Sequence, residues 1–200
     1  LSIRFESRIA GKLAHSINEA GWSKYAVLTP LFCGALMVSQ EKHRFRRVRV
    51  GKPVENVLVV HGAGMEKRGL EAIETFGSMR LGEYEEAIRE YARDAGLRVT
   101  FFHSNDEKVV ADRLTQIGDS MIDAVIINPG GYLSGAPRII SAIEALACAC
   151  IEVHISNPAA RGISSPFASS CSGAVTGFGI RSYQLALMGL AARMGPSGKS

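Results

Sequence analysis

NVLVV, residues 56–60, decides the fold class. It is a short, uninterrupted apolar run, as expected of a strand covered on both faces in a parallel sheet. The chain downstream alternates in kind. RLGEYEEAIREYARDAG (80–96) places Leu81, Tyr84, Ile88 and Tyr91 on one helical face and stops at Gly96. RVTFFHS (98–104) reads as a strand, and NDEKVVADRLTQIG (105–118) as a helix capped by Asn105. DAVIINPGG (123–131) is a strand running into a turn, PRIISAIEALA (137–147) a helix and CIEVHIS (150–156) a strand. GAVTGFG (173–179) gives a last short strand before the helix IRSYQLALMGLAARMG (180–195). Five strands alternating with helices predict an α/β domain over residues 56–195: a parallel sheet with helices on both faces and ligand sites at the carboxyl ends of the strands.

The 200 residues suffice for this domain and an appendage. Residues 1–55 form a separate arm, with ten Lys or Arg against four Glu, while the remainder carries thirteen basic and fifteen acidic residues. The basic character therefore belongs to the arm, which argues against nucleic-acid binding by the domain and for a protein partner of the arm. Phe5, Ile9, Leu13 and Ile17 make one stripe of an amphipathic helix ending at Gly21, and Tyr25 to Val38 is free of charge. That stretch is shorter than a membrane span needs and is interrupted by Pro30 and Gly34. It reads first as a helix in a hydrophobic groove, with membrane contact through residues 22–39 as the second reading. Residues 196–200 are a tail, and the start at Leu1 rather than Met leads us to expect a removed presequence or a trimmed chain. Cys33, Cys148, Cys150 and Cys171 form no CxxC pair, so the reading is reduced thiols, no metal site and a matrix-like or cytoplasmic compartment.

Three loops leave the predicted carboxyl ends with unusual content: residues 61–78, 128–135 and 154–173. The Gly62-Ala63-Gly64 triplet lacks the rest of a dinucleotide fingerprint and any G-K-[ST] ending, so it is a weak phosphate cradle. Within IEVHISN (151–157), Glu152 and His154 stand two positions apart and so share one face of a strand. A carboxylate and an imidazole buried together cost desolvation free energy unless each satisfies the other.

INPGGY (127–132), EVHISN (152–157) and GFG-x-x-x-Y-x-L-A-L (177–187), in that order, resemble the type II 3-dehydroquinate dehydratases over about residues 56–194. The resemblance implies a flavodoxin-like fold, assembly as a dodecamer of trimers, and cofactor-free anti elimination of water from 3-dehydroquinate through an enolate. It implies His154 as the acid, Glu152 as its orienting carboxylate and Asn128 on the enolate side. Asn128, Ile155 and Ser156 are the implied substrate-binding positions. The first loop departs from the family. The base position, normally tyrosine, is Phe76; the activating arginine position is Glu71; and a usual asparagine is Gly64. The binding histidine is replaced by Ser134, a second arginine is missing because its run aligns with Ser164, Ser165, Pro166 and Phe167, and Arg161 matches a peripheral arginine. Tyr132 and Glu71 are the residues that could stand in for the missing base.

Three functions follow as expectations. The first is a catalytically inactive accessory subunit of a larger complex, mitochondrial and membrane-associated, joined through residues 1–55. The second is an active 3-dehydroquinate dehydratase or a related lyase. The third is a metabolite-sensing module. An open polar pocket at Asn128, His154 and Ser156 favours the second. A pocket filled by Phe76 or the first loop favours the first.

Overall fold

The computed structural model describes residues 53–192. The expectations for the arm, its helix and its membrane contact, and for the tail, lie outside the described residues. Nine regular elements carry the fold: β1 (Asn56–Ala63), α1 (Leu81–Asp94), β2 (Arg98–His103), α2 (Glu107–Thr115), β3 (Ala124–Gly130), α3 (Pro137–Ala145), β4 (Ala149–His154), β5 (Gly173–Thr176) and α4 (Arg181–Ala192). The sheet has five strands in the order β2-β1-β3-β4-β5, every pair parallel. This is the flavodoxin-like doubly wound arrangement. The chain moves outward from β1 to β2, then returns to lay β3 on the other side of β1. That reversal opens a crevice at the carboxyl ends of β1 and β3.

Alternation along the strands builds the two halves of the core. Leu58, Val60, Val125, Ile127 and Cys150 face one way, onto Val110 and Leu114 of α2 and Ile139 and Ile143 of α3. Val57, Val59, Ala124, Ile126 and Val153 face the other way, onto Tyr84 and Ile88 of α1 and Tyr183, Leu187 and Leu190 of α4. Residues 57–60 and 124–127 are at most 1 % exposed, so NVLVV has no wet side, as its composition predicts. Each large aliphatic placed there contributes roughly 1.5–3 kcal/mol of burial.

The helix starts follow local chemistry. Glu83 accepts from the backbone N–H of Arg80 at 2.7 Å to begin α1. The cap of α2 corrects the sequence reading: Asp106, not Asn105, accepts from the N–H groups of Lys108 (2.7 Å) and Val109 (3.4 Å). Asn105 reaches instead across to the first loop. It accepts from Gly64 N–H and donates to Glu66, both at 2.9 Å. Among the described residues no helix is long and apolar enough to cross a membrane.

Candidate active site

The carboxyl ends of β1, β3 and β4 converge because Val60 pairs with Ile127 and Ile127 with Glu152. Two glycines allow the strands and turns to close in. A side chain on Gly62 would collide with the backbone of Pro129, and one on Gly130 with the carbonyl of Ala63. Gly130 also has φ +57°, where a Cβ is disfavoured. Above this floor lies an open cavity of about 300 Å³. Asn128, His154, Ile155 and Ser156 line it from the sheet, and Arg68, Glu71 and Phe76 line it from the first loop.

Glu152 and His154 do share a face, and they touch: Nε2 of His154 lies 2.6 Å from Oε1 of Glu152. Both are buried, at 1 % and 5 % exposure. The hydroxyl of Ser165 donates to the same carboxylate oxygen, and Ser165 Oγ in turn accepts from Phe167 N–H at 3.1 Å. Ser165 thus fastens the loop after β4 to the carboxylate, while the Phe167 ring is fully buried in the core beneath. A carboxylate can only accept, so Nε2 carries the hydrogen of this pair and Nδ1 is left for exchange.

Asn128 leaves β3 on the opposite side, toward α4. Its Nδ2 donates to the Tyr183 hydroxyl at 3.0 Å, and its Oδ1 accepts from Gly130 N–H at 3.2 Å. The carboxamide is therefore oriented by both ends. The Tyr183 hydroxyl lies 3.5 Å from Nδ1 of His61, a fully buried histidine stacked on Phe101. Burial pushes the Tyr183 phenol above its ordinary value, while burial first and His103 second push His61 down to about 4. His61 is accordingly neutral near pH 7, and its Nε2 has no hydrogen-bond partner among the described residues.

The first loop is folded and tied down. Asn105 and His103 hold Glu66, with His103 Nε2 3.0 Å from its carboxylate, and the Tyr84 hydroxyl donates to the Phe76 carbonyl at 3.2 Å. Ala72 takes φ +49° just before the single helical turn Ile73–Phe76. Such strain is often held at functional loops. Phe76 stands on the cavity wall and does not fill the space, contrary to what an occluded site would show. The Arg68 guanidinium lies 3.6 Å over its ring, and the Arg161 guanidinium 5.9 Å from it. Sequence reasoning missed Arg68, which brings positive charge to the place where position 71 offers a carboxylate. The only signal was the Lys67-Arg68 pair inside a long loop. Glu71 lines the cavity and pairs with Lys67 at 3.2 Å. Arg161 donates to Ser156 Oγ at 2.8 Å, which places it in the site and not at its periphery.

Tyr132 is not a substitute base. It is 8 % exposed, its hydroxyl donates to the Ser104 carbonyl at 3.1 Å, and burial raises its phenol above the ordinary value. Among the described residues no cluster of His, Cys, Asp and Glu could hold a metal ion.

Comparison with known proteins agrees with this geometry. The family model for class II dehydroquinases matches residues 55–191. A 3-dehydroquinate dehydratase of Caldicellulosiruptor saccharolyticus is 37 % identical over 140 residues, covering 68 % of this chain and 97 % of the relative. That of Campylobacter lari is 35 % identical over 137 residues, covering 67 % and 85 %. The crystal structure of the type II dehydroquinase from Propionibacterium acnes superposes with a TM-score of 0.66 at 29 % identity, covering 71 % of this chain and 99 % of that one. With the parallel five-stranded sheet, the INPGG turn and the Glu152–His154 pair in place, the chain belongs to the class II dehydroquinase family.

Proposed function

We propose that the chain is a hydro-lyase of the 3-dehydroquinate dehydratase type, with His154 as its general acid. The observation that carries this reading is the hydrogen-bonded His154–Glu152–Ser165 group on the wall of an open cavity shared with Asn128 and Ser156. The substrate class is a cyclic ketone with a β-hydroxyl and a carboxylate. The carboxylate would be received at Ile155 and Ser156. In the reaction a base takes the proton α to the ketone, and the C–H electron pair becomes an enolate. The enolate then expels the β-hydroxyl, which leaves as water with a proton from His154. Asn128, oriented by Tyr183 and Gly130, would donate toward the enolate oxygen. Phe76 cannot accept the α-proton. Glu71 is the exposed carboxylate on the cavity wall, and its pairing with Lys67 offsets the like charge it would bring near an enolate. Glu71 is therefore the base in this reading, and the rate is expected to fall well below that of a tyrosine-containing relative.

One observation favours a second reading: the phenylalanine at the family's base position. In that reading the domain is a non-catalytic subunit, held in a larger, mitochondrial assembly through residues 1–55. The deciding experiment follows 3-dehydroquinate dehydration as enone absorbance with the purified chain and with Glu71→Gln. Turnover that disappears in Glu71→Gln supports the hydro-lyase. Absence of turnover in the unmodified chain overturns it and supports the subunit.

A further inference from the structure

The cavity wall carries more positive charge than its neighbours neutralise. Lys67 is paired with Glu71. Arg68 and Arg161 are different: among the described residues neither has a carboxylate within ion-pair distance. Arg68 is half-buried, with its Nε 3.4 Å from the Met65 sulfur and its guanidinium carbon 3.6 Å over the Phe76 ring. The Arg161 guanidinium approaches the same ring and, among the described residues, donates to the Ser156 hydroxyl. Burial, with a contribution from the like charge of Arg161, pulls the Arg68 guanidinium below its ordinary value. Two guanidiniums that approach one apolar ring, at 3.6 and 5.9 Å from its centroid, repel each other and have no counterion among the described residues. An arginine presents a planar fork of donors suited to a carboxylate or phosphate.

We infer that the wall above Phe76, between Arg68 and Arg161, is an anion subsite, so that the ligand of this cavity carries a second anionic group besides the carboxylate received at Ile155 and Ser156. The inference rests on the reading of the cavity as a substrate site. On this inference a monocarboxylate such as 3-dehydroquinate is a weaker ligand of the cavity than a dianion of similar shape: a dicarboxylate, or a carboxylate with a phosphate. The Phe76 ring fits that role, because both guanidiniums lie within cation–π distance of it and it has no hydroxyl to compete for their donors. Among the described residues Glu71 is the one acid lining this wall, and Lys67 holds it.

The test compares cyclohexane-1,3-dicarboxylate with cyclohexanecarboxylate by titration calorimetry on the full chain. A charge-assisted contact to Arg68 is expected to favour the dicarboxylate by about tenfold or more, and the preference should shrink as salt is added. Arg68→Met is expected to collapse the affinity ratio to near one, and Arg68→Lys to keep part of it. Equal affinities in the unmodified chain, a ratio that survives Arg68→Met, or no binding of the dicarboxylate would each overturn the subsite. Turnover of 3-dehydroquinate is scored separately. Dehydration without dianion preference removes only the subsite, and dianion preference without dehydration removes only the hydro-lyase.

Discussion

Replacing Phe76 with tyrosine adds one oxygen at a place where the structure already supplies the charge to activate it. The Arg68 guanidinium carbon lies 3.6 Å above the ring centroid. A phenolic oxygen sits almost 3 Å from that centroid in the ring plane, so it would lie about 4.5 Å from the guanidinium. Coulomb attraction of a phenolate to that charge is about 1 kcal/mol at the dielectric of water and about 4 kcal/mol at an effective value near 20. The wall is half-buried, so the phenol is expected to titrate roughly one to three pH units below its usual value of about 10. Tyrosine burial elsewhere in the site acts oppositely, as the raised phenol of Tyr183 shows. The assay is a difference titration near 295 nm between Phe76→Tyr and the unmodified chain, which cancels the native tyrosines. The same variant is expected to gain dehydration rate by at least about tenfold, toward the 10²–10⁴ that a positioned general base supplies. Adding Arg68→Met should return the phenol to its ordinary range and remove the gain. A new phenol titrating at 10 or above, or one indifferent to Arg68→Met, would refute the argument that Arg68 replaces the arginine absent from position 71.

Other perturbations have equally definite outcomes. Glu152→Ala takes the acceptor from two donors, the buried His154 Nε2 and the half-buried Ser165 Oγ, and is expected to cost about 3 kcal/mol in urea unfolding. Ile127→Ala, on a fully buried position of the central β3, should cost about 3–4 kcal/mol through lost burial and a cavity. His61 gives a pH signature. Its folded value of about 4 lies below the ordinary 6.5, so the unfolded chain binds its proton first. The stability is full above pH 6.5 and falls as the pH drops toward 4, by about 3 kcal/mol for this residue. His61→Gln is expected to flatten the difference in urea midpoint between pH 7 and pH 4.5 relative to the unmodified chain.

The sheet was legible because its information is local and periodic. Unbroken apolar runs such as NVLVV, separated by helical stripes ending at residues such as Gly96, leave few arrangements other than a covered parallel sheet. Even the Glu152–His154 contact followed from a spacing of two on one strand. Local reading failed where two neighbouring residues compete for one role. Asn105 and Asp106 are both good caps, and only the loop arriving from residue 64 draws Asn105 away and leaves Asp106 to the helix.

The cavity itself was decided by tertiary structure. Position-by-position comparison assigned Phe76 and Glu71 to the first loop's base and activating positions, and both line the cavity, yet it counted the charge around them as lost. Arg68 restores it by stacking over a residue eight positions away, across a loop whose path depends on distant Asn105 and Tyr84. Ser165 seemed only to replace an arginine, but it closes on Glu152, and Tyr183 turns Asn128 from another layer of the fold. Sequence by itself determined the sheet, the order of its strands' chemistry and the family. Which charges face the ligand was set by side chains meeting across loops and layers, because direction and distance between such groups are fixed only when the core has brought their backbones together.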